Sequence, residues 1–238
     1  MKNLAGLVML TALLTGCAQM GETGRSIPTF EPKQLGKSDI DRVADVHRRE
    51  IFSSLRILTE KLYRRNPKEW KKSGYPTLEA TREHLLDPRT GWRVPEIGQK
   101  QGTEAILLAL STDYQGDRVA AFIAGTGGML NIAFGEKTEF FMFDSLDPQK
   151  LYNSARNLEI AAWKLANARD AEGNLLLLSN EIANPQQPAN LSFEREFGKM
   201  IGNLDLLSTM IADRGNRNIV YVTHSVATAV FLPVLAIK

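Results

Sequence analysis

The sequence predicts a mainly α-helical single domain, with room for one or two short strands, behind an amino-terminal leader and tether. Three observations predict it. Apolar residues recur at helical spacing over long stretches near residues 38–65, 147–165 and 191–211. Helix-start and helix-stop residues bracket these stretches. No parallel-sheet rhythm of strand and crossover helix runs through the chain, and no internal repeat or low-complexity block interrupts it.

The leader comes first. One basic residue, Lys2, precedes an apolar stretch from Leu4 to Leu14. As a helix that stretch is roughly 16 Å long, too short for a hydrocarbon core about 30 Å thick, so it reads as a secretory signal and not an anchor. Leu14-Thr15-Gly16 then lead directly into Cys17, the only cysteine in the chain. That run resembles the lipobox of bacterial lipoproteins, with Thr15 where Ala or Ser is usual. The resemblance implies removal of residues 1–16 and acylation of Cys17. Two or more acyl chains anchor stably where one binds marginally. Ala18, not Asp, follows the cysteine, which by resemblance to Gram-negative lipoproteins implies the periplasmic face of the outer membrane. Residues 17–37 mix Gly, Pro, Ser and Thr without an apolar period and read as the lipidated flexible tether.

Removing the leader leaves 222 residues, ample for one core. The remaining charge is close to neutral, against a +2 balance for the whole chain, which argues against an electrostatic nucleic-acid binder. With Cys17 acylated no thiol remains, so the fold must rest on packing and not on disulfides.

The domain, residues 38–238, opens on Ser38 with Asp41 three residues on, a capping-box-like start. Ile40, Val43, Ile51, Leu55, Leu58 and Leu62 follow at helical spacing, and the helix should stop before Asn66-Pro67. A shorter helix is expected from Thr77 to about Asp87-Pro88, and a short buried one over Gly102–Leu110. Val119 to Phe134 is apolar but carries Gly125, Gly127 and Gly128, each costing about 1 kcal/mol in a helix interior. Glu139–Phe143 suits strand or helix equally. Asp147-Pro148 makes a good N-cap and first position, with Leu151, Ala155, Leu158, Ala162 and Leu165 on one face and Gly173 as the expected stop. Leu175–Leu178 reads as a short strand. From about Leu191 to Gly215 a last helix should bury Phe193, Phe197, Ile201, Leu204, Leu207 and Ile211, with Gly198 and Gly202 permitting close helix approach. Ile219–Ile237 is expected as a buried closing helix or strand.

Several motifs invite chemistry. IVYVTHSVATA, residues 219–229, resembles the nucleophile elbow of α/β-hydrolases around Ser225. Thr223 and Ala227 replace the elbow glycines, and no acid or histidine follows the serine, where that fold supplies both. AFIAGTGGML, residues 121–130, suggests a dinucleotide turn with Asp144 as ribose acid. Leu130 replaces the third glycine, however, so close packing of apolar helices or a bend is the better account. His47 and Glu50, with Asp45 nearby, lie on one helix face, but His47 continues the apolar stripe between Val43 and Ile51 and reads as a satisfied buried histidine. The basic cluster Arg64, Arg65, Lys68, Lys71 and Lys72, beside Trp70 and Tyr75, reads as a solvated helix end, with anionic headgroups as the functional alternative. Arg156 with Glu159, and Glu194 beside Arg195, either pair between helices or line a pocket.

From residue 140 onward the stretches FMFDSLDPQKLYNSARNLEIAAWKL and NLSFEREFGKMIGNLDLL resemble an uncharacterised group of proteobacterial lipoproteins, which implies no activity. The expected function is a non-enzymatic binding or assembly component of the cell envelope. It would be held to membrane lipid through Cys17 and apposed to an envelope protein partner, with no nucleic acid, cofactor or metal. The alternatives are an envelope serine hydrolase using Ser225 and a carrier of a small apolar ligand.

Overall fold

Seven helices form among the described residues of the computed structural model, which are 35–142, 144–180, 190–222 and 226–234. They are α1 (Asp39–Arg65), α2 (Pro67–Trp70), α3 (Leu78–Leu85), α4 (Gly102–Ala109), α5 (Arg118–Ala133), α6 (Pro148–Asn167) and α7 (Ser192–Gly215). All lie in the unit Ser38–Lys238, and among the described residues no β-ladder accompanies them; the strand-like pairing there is an isolated bridge between Arg169 and Leu175. The chain is mainly α, as its periodicity predicts.

The local signals act where they were read. The Asp41 carboxylate accepts from the Ser38 N–H at 2.7 Å and from its hydroxyl at 2.6 Å, fixing the start of α1. Thr77 caps α3 by accepting from the Ala80 N–H, and Asp147 caps α6 by accepting from the Gln149 N–H. α1 and α7 run antiparallel. Arg214 reaches Ser38 at one end, and Lys61 sits 5.7 Å from the Phe193 ring centre at the other. Between them the His47 Nδ1 lies 2.7 Å from Asn203 Oδ1. The other face of α7 packs on α6.

α5 fills the centre. Every residue of it except Asn131 and Ile132 is buried, because it touches α1 and α6 and is covered by α4. Its glycines are what permit this. A Cβ on Gly125 would come within 2.6 Å of the Gly102 carbonyl oxygen and 2.8 Å of the Ile106 nitrogen. A Cβ on Gly127 would meet the Trp92 indole at 2.2 Å. The glycines' cost in helix propensity is therefore offset by a close crossing of two apolar helices. Trp92 reaches this position from a left-handed backbone (φ 65°) and stacks on Phe52 at 5.6 Å.

Four expectations are corrected. α6 ends at Asn167, not at Gly173, because residues 169–175 fold into their own turn. There the Asp170 carboxylate accepts from the Asn174 N–H, and Gly173 takes φ 85°. Gly198 and Gly202 face solvent, with no atom near a notional Cβ, so they mediate no helix approach. Residues 139–142 are irregular, neither strand nor helix, and Phe143 lies outside the described residues. The described parts of 219–234 form an irregular strap and not a buried helix or strand, with Val220 69% and Val230 82% exposed. No described helix is long and apolar enough to cross a membrane.

Candidate functional site

The strap, in its described parts 217–222 and 226–234, is fastened in an unusual way. Side-chain amides of α6 grip its main chain. Gln149 accepts from the Val220 N–H at 2.8 Å and donates to the Val220 carbonyl at 3.2 Å. The Tyr152 hydroxyl accepts from the Val222 N–H at 3.0 Å and approaches the Val222 carbonyl at 3.3 Å. On the returning limb Asn157 accepts from the Leu232 N–H at 2.6 Å and donates to the Leu232 carbonyl at 2.8 Å, and Asn153 donates to the Pro233 carbonyl at 2.7 Å. Gln149, Asn153 and Asn157 recur every four residues, so one helix face carries the ladder.

A primary amide carries the donor and acceptor of a peptide unit. It can therefore stand in for a neighbouring strand. Asn66 does the same elsewhere, donating to the Leu178 carbonyl and accepting from the Leu178 N–H, both near 2.9 Å. Leu178 thereby has both of its main-chain bonds without a sheet, and the Leu176 N–H donates to the Ala168 carbonyl.

Attachment of the strap is uneven. Val234 is buried and Phe231 packs against the core, so the returning limb is anchored by apolar contact. The outgoing limb is held through main-chain bonds and leaves its large side chains outside: Tyr221 is 71% exposed, beside Val220 and Val222. Tyr221 meets Tyr152 edge-on at 5.4 Å. Contiguous exposed apolar surface of this kind marks interaction sites.

The other residues singled out by sequence have structural partners. Asn203 donates through Nδ2 to the Lys199 carbonyl, which turns its Oδ1 toward His47 and makes the His47 Nδ1–H the donor. Asp45 accepts from the Phe140 N–H, and Glu50 is exposed beside Arg49, so the carboxylates at these positions have separate engagements. Among the described residues no cluster of three His, Cys, Asp or Glu could hold a metal. His84 packs 4.9 Å from the Tyr75 ring. Asp144, considered as a ribose acid, pairs with Lys137. Arg156 pairs with Glu159 at 3.1 Å and with Asp205 of α7 at 2.6 Å, joining two helices. Burial is the main influence on the Asp205 carboxyl and moves its pKa up. Glu194 accepts from Asn180. Arg64 pairs with Glu60 and Lys72 with Glu69, while Lys71 lies over Trp70, so the basic cluster is partly neutralised. Ser225, with Thr223 and His224, and Cys17 with the whole of 1–34 lie outside the described residues.

Removing the His47–Asn203 bond should be measurable. His47→Ala and Asn203→Ala are each expected to cost about 1 kcal/mol, with a coupling of similar size in a double-mutant cycle by urea unfolding. Strict additivity would mean the bond contributes nothing.

A buried polar cluster, which sequence reading missed, caps the central helix. Asp117 accepts from the Ala120 N–H at 2.9 Å and from the Tyr63 hydroxyl at 2.9 Å. Glu69 accepts from the Arg118 N–H at 2.7 Å and from Lys72. The Arg118 guanidinium donates to the carbonyls of Ala109 and Ser111. Desolvation is the largest influence on Asp117 and, with the nearby charge of Glu69, pushes its pKa up to about 6. Asp117 is an N-cap residue type directly before an apolar run, the one local signal here; its partners at 63 and 69 leave no trace in the sequence.

One shallow pocket opens between the loop at Gly91–Arg93 and the end of α5, lined also by Gln101, Asn131 and Glu136. The space beside the α5 glycines is occupied by Trp92 and α4. No protein-family model, curated protein or solved structure matches this chain.

Proposed function

We propose that this chain is a lipid-anchored component of the bacterial cell envelope, held at the periplasmic face of the outer membrane by acylated Cys17. Its helical domain acts by binding and assembly and not by catalysis. The observation that carries the binding role is the outgoing limb of the strap, where Val220, Tyr221 and Val222 stand exposed together on main-chain bonds to Gln149 and Tyr152. The lipobox-like run Leu14-Thr15-Gly16-Cys17 supports the anchor. A catalytic reading would need a base within hydrogen-bond reach of Ser225.

Cys17→Ser is expected to leave an unprocessed precursor that takes up no labelled palmitate and is released from the outer-membrane fraction by salt wash. Wild-type processing and membrane retention in that variant would remove the anchor from the proposal. In-cell crosslinking of the full chain followed by mass spectrometry tests the binding role. Crosslinks should concentrate on the strap, and crosslinks spread evenly over all faces would count against it.

A further inference from the structure

We infer that the outgoing limb of the strap, Ile219–Val222, is the pairing edge of a two-fold dimer, its partner being the same limb of a second copy of this chain. The inference rests on the proposed binding role of the strap and names the occupant.

The direction of the backbone groups carries the argument. Val220 turns both its N–H and its C=O onto Gln149, and Val222 turns both of its own onto Tyr152. Two residues spaced two apart, each presenting donor and acceptor to the same side, is the geometry of an extended strand in a ladder. The intervening residues must then present their pairs to the opposite side. Ile219 and Tyr221 therefore aim an N–H and a C=O each away from α6, and among the described residues neither has a main-chain hydrogen bond.

This outer edge lacks the devices that usually blunt one. Residues 218–222, NIVYV, contain no proline and no charge. An extended backbone is what satisfies such an edge, and the same edge on a second copy is self-complementary about a two-fold axis. Placing that axis at Val220 makes Ile219 of one copy exchange both main-chain bonds with Tyr221 of the other, and the reverse. It also sets an isoleucine against a tyrosine twice, a favourable β-branched–aromatic cross-strand pair. Val220 then faces its own counterpart as the close, non-hydrogen-bonded pair, with Cα atoms about 4.5 Å apart. The axis position is therefore testable by a disulfide.

Cysteine substitution in the full chain, in isolated envelopes treated with diamide, provides the test. Cys17 is the only native cysteine, so the unsubstituted chain is the control. Val220→Cys lies within disulfide reach across the axis and is expected to give a reducible band at twice the monomer mass. Val222→Cys, whose counterpart would be about 13 Å away at four residues' rise, should remain monomeric. Tyr221→Pro added to Val220→Cys removes an outward N–H while leaving the Val220 and Val222 N–H groups in place, and should abolish the band. Tyr221→Lys, at an exposed position, should weaken it without the backbone change. Equal crosslinking at 220 and 222, persistence with Tyr221→Pro, or no dimer at Val220→Cys overturns the two-fold edge. A Val220→Cys adduct to a different protein also overturns it but leaves the binding role standing; an unreactive strap refutes both.

Discussion

Gly125→Ala is expected to destabilise the domain by about 1–2 kcal/mol net, although the same substitution in an exposed helix stabilises. The added Cβ would lie 2.6 Å from the Gly102 carbonyl oxygen, 2.8 Å from the Ile106 nitrogen and 3.0 Å from the Ala105 Cβ. Two of these are backbone atoms of α4, so no side-chain rotation relieves the overlap. α4 and α5 must move apart along a crossing where both are buried. Overpacking of this kind costs roughly 1–3 kcal/mol and sometimes more, against about 1 kcal/mol gained in helix propensity. Gly198→Ala and Gly202→Ala supply the control within the same molecule. Their notional Cβ atoms meet open space in the middle of α7, so each should stabilise by about 0.5–1 kcal/mol. Urea unfolding of the three variants tests the reading. A neutral Gly125→Ala would show that α4 gives way easily and that the glycine is not required by the crossing.

The second large effect is a dependence on pH. Asp117 is buried, and its carboxyl is raised from 3.8 to about 6, first by desolvation. Between those values the folded chain holds a proton that the unfolded chain has released. Stability from this group is therefore fully present below about pH 4 and is lost as pH rises through 6. A displacement of about two pH units corresponds to about 3 kcal/mol. Asp205, also moved upward by burial, contributes with the same sign. Asp117→Asn should flatten this part of the profile. Asparagine keeps an oxygen for the Ala120 N–H and remains a good N-cap, while its NH2 can donate to the Tyr63 oxygen. The variant is thus expected to gain on the wild type steadily between pH 4 and pH 6 in urea unfolding. Parallel profiles would mean that Asp117 ionises freely in the folded chain.

Both effects arise from contacts between distant parts of the chain, and this marks where sequence reading succeeds and fails. By itself the sequence determined the helical class and the starts of α1, α3 and α6, because Ser38–Asp41, Thr77 and Asp147 act on backbone within three residues of themselves. The apolar stripes at 40–62 and 151–165 were legible for the same reason, since helical periodicity is a local property. Tertiary structure alone decided that 118–133 is one helix, since α4 and Trp92 fill the room left by Gly125 and Gly127. It alone ended α6 at Asn167, where a turn closed by Asp170 and Asn174 outcompetes further helix. It also decided the fate of the described parts of 219–234. They are β-prone and apolar, yet form no sheet among the described residues, because Gln149, Asn153 and Asn157 offer them peptide-like bonds from 71 to 80 residues away. An amide in a sequence does not announce which backbone it will grip; only the packed helix that aims it does.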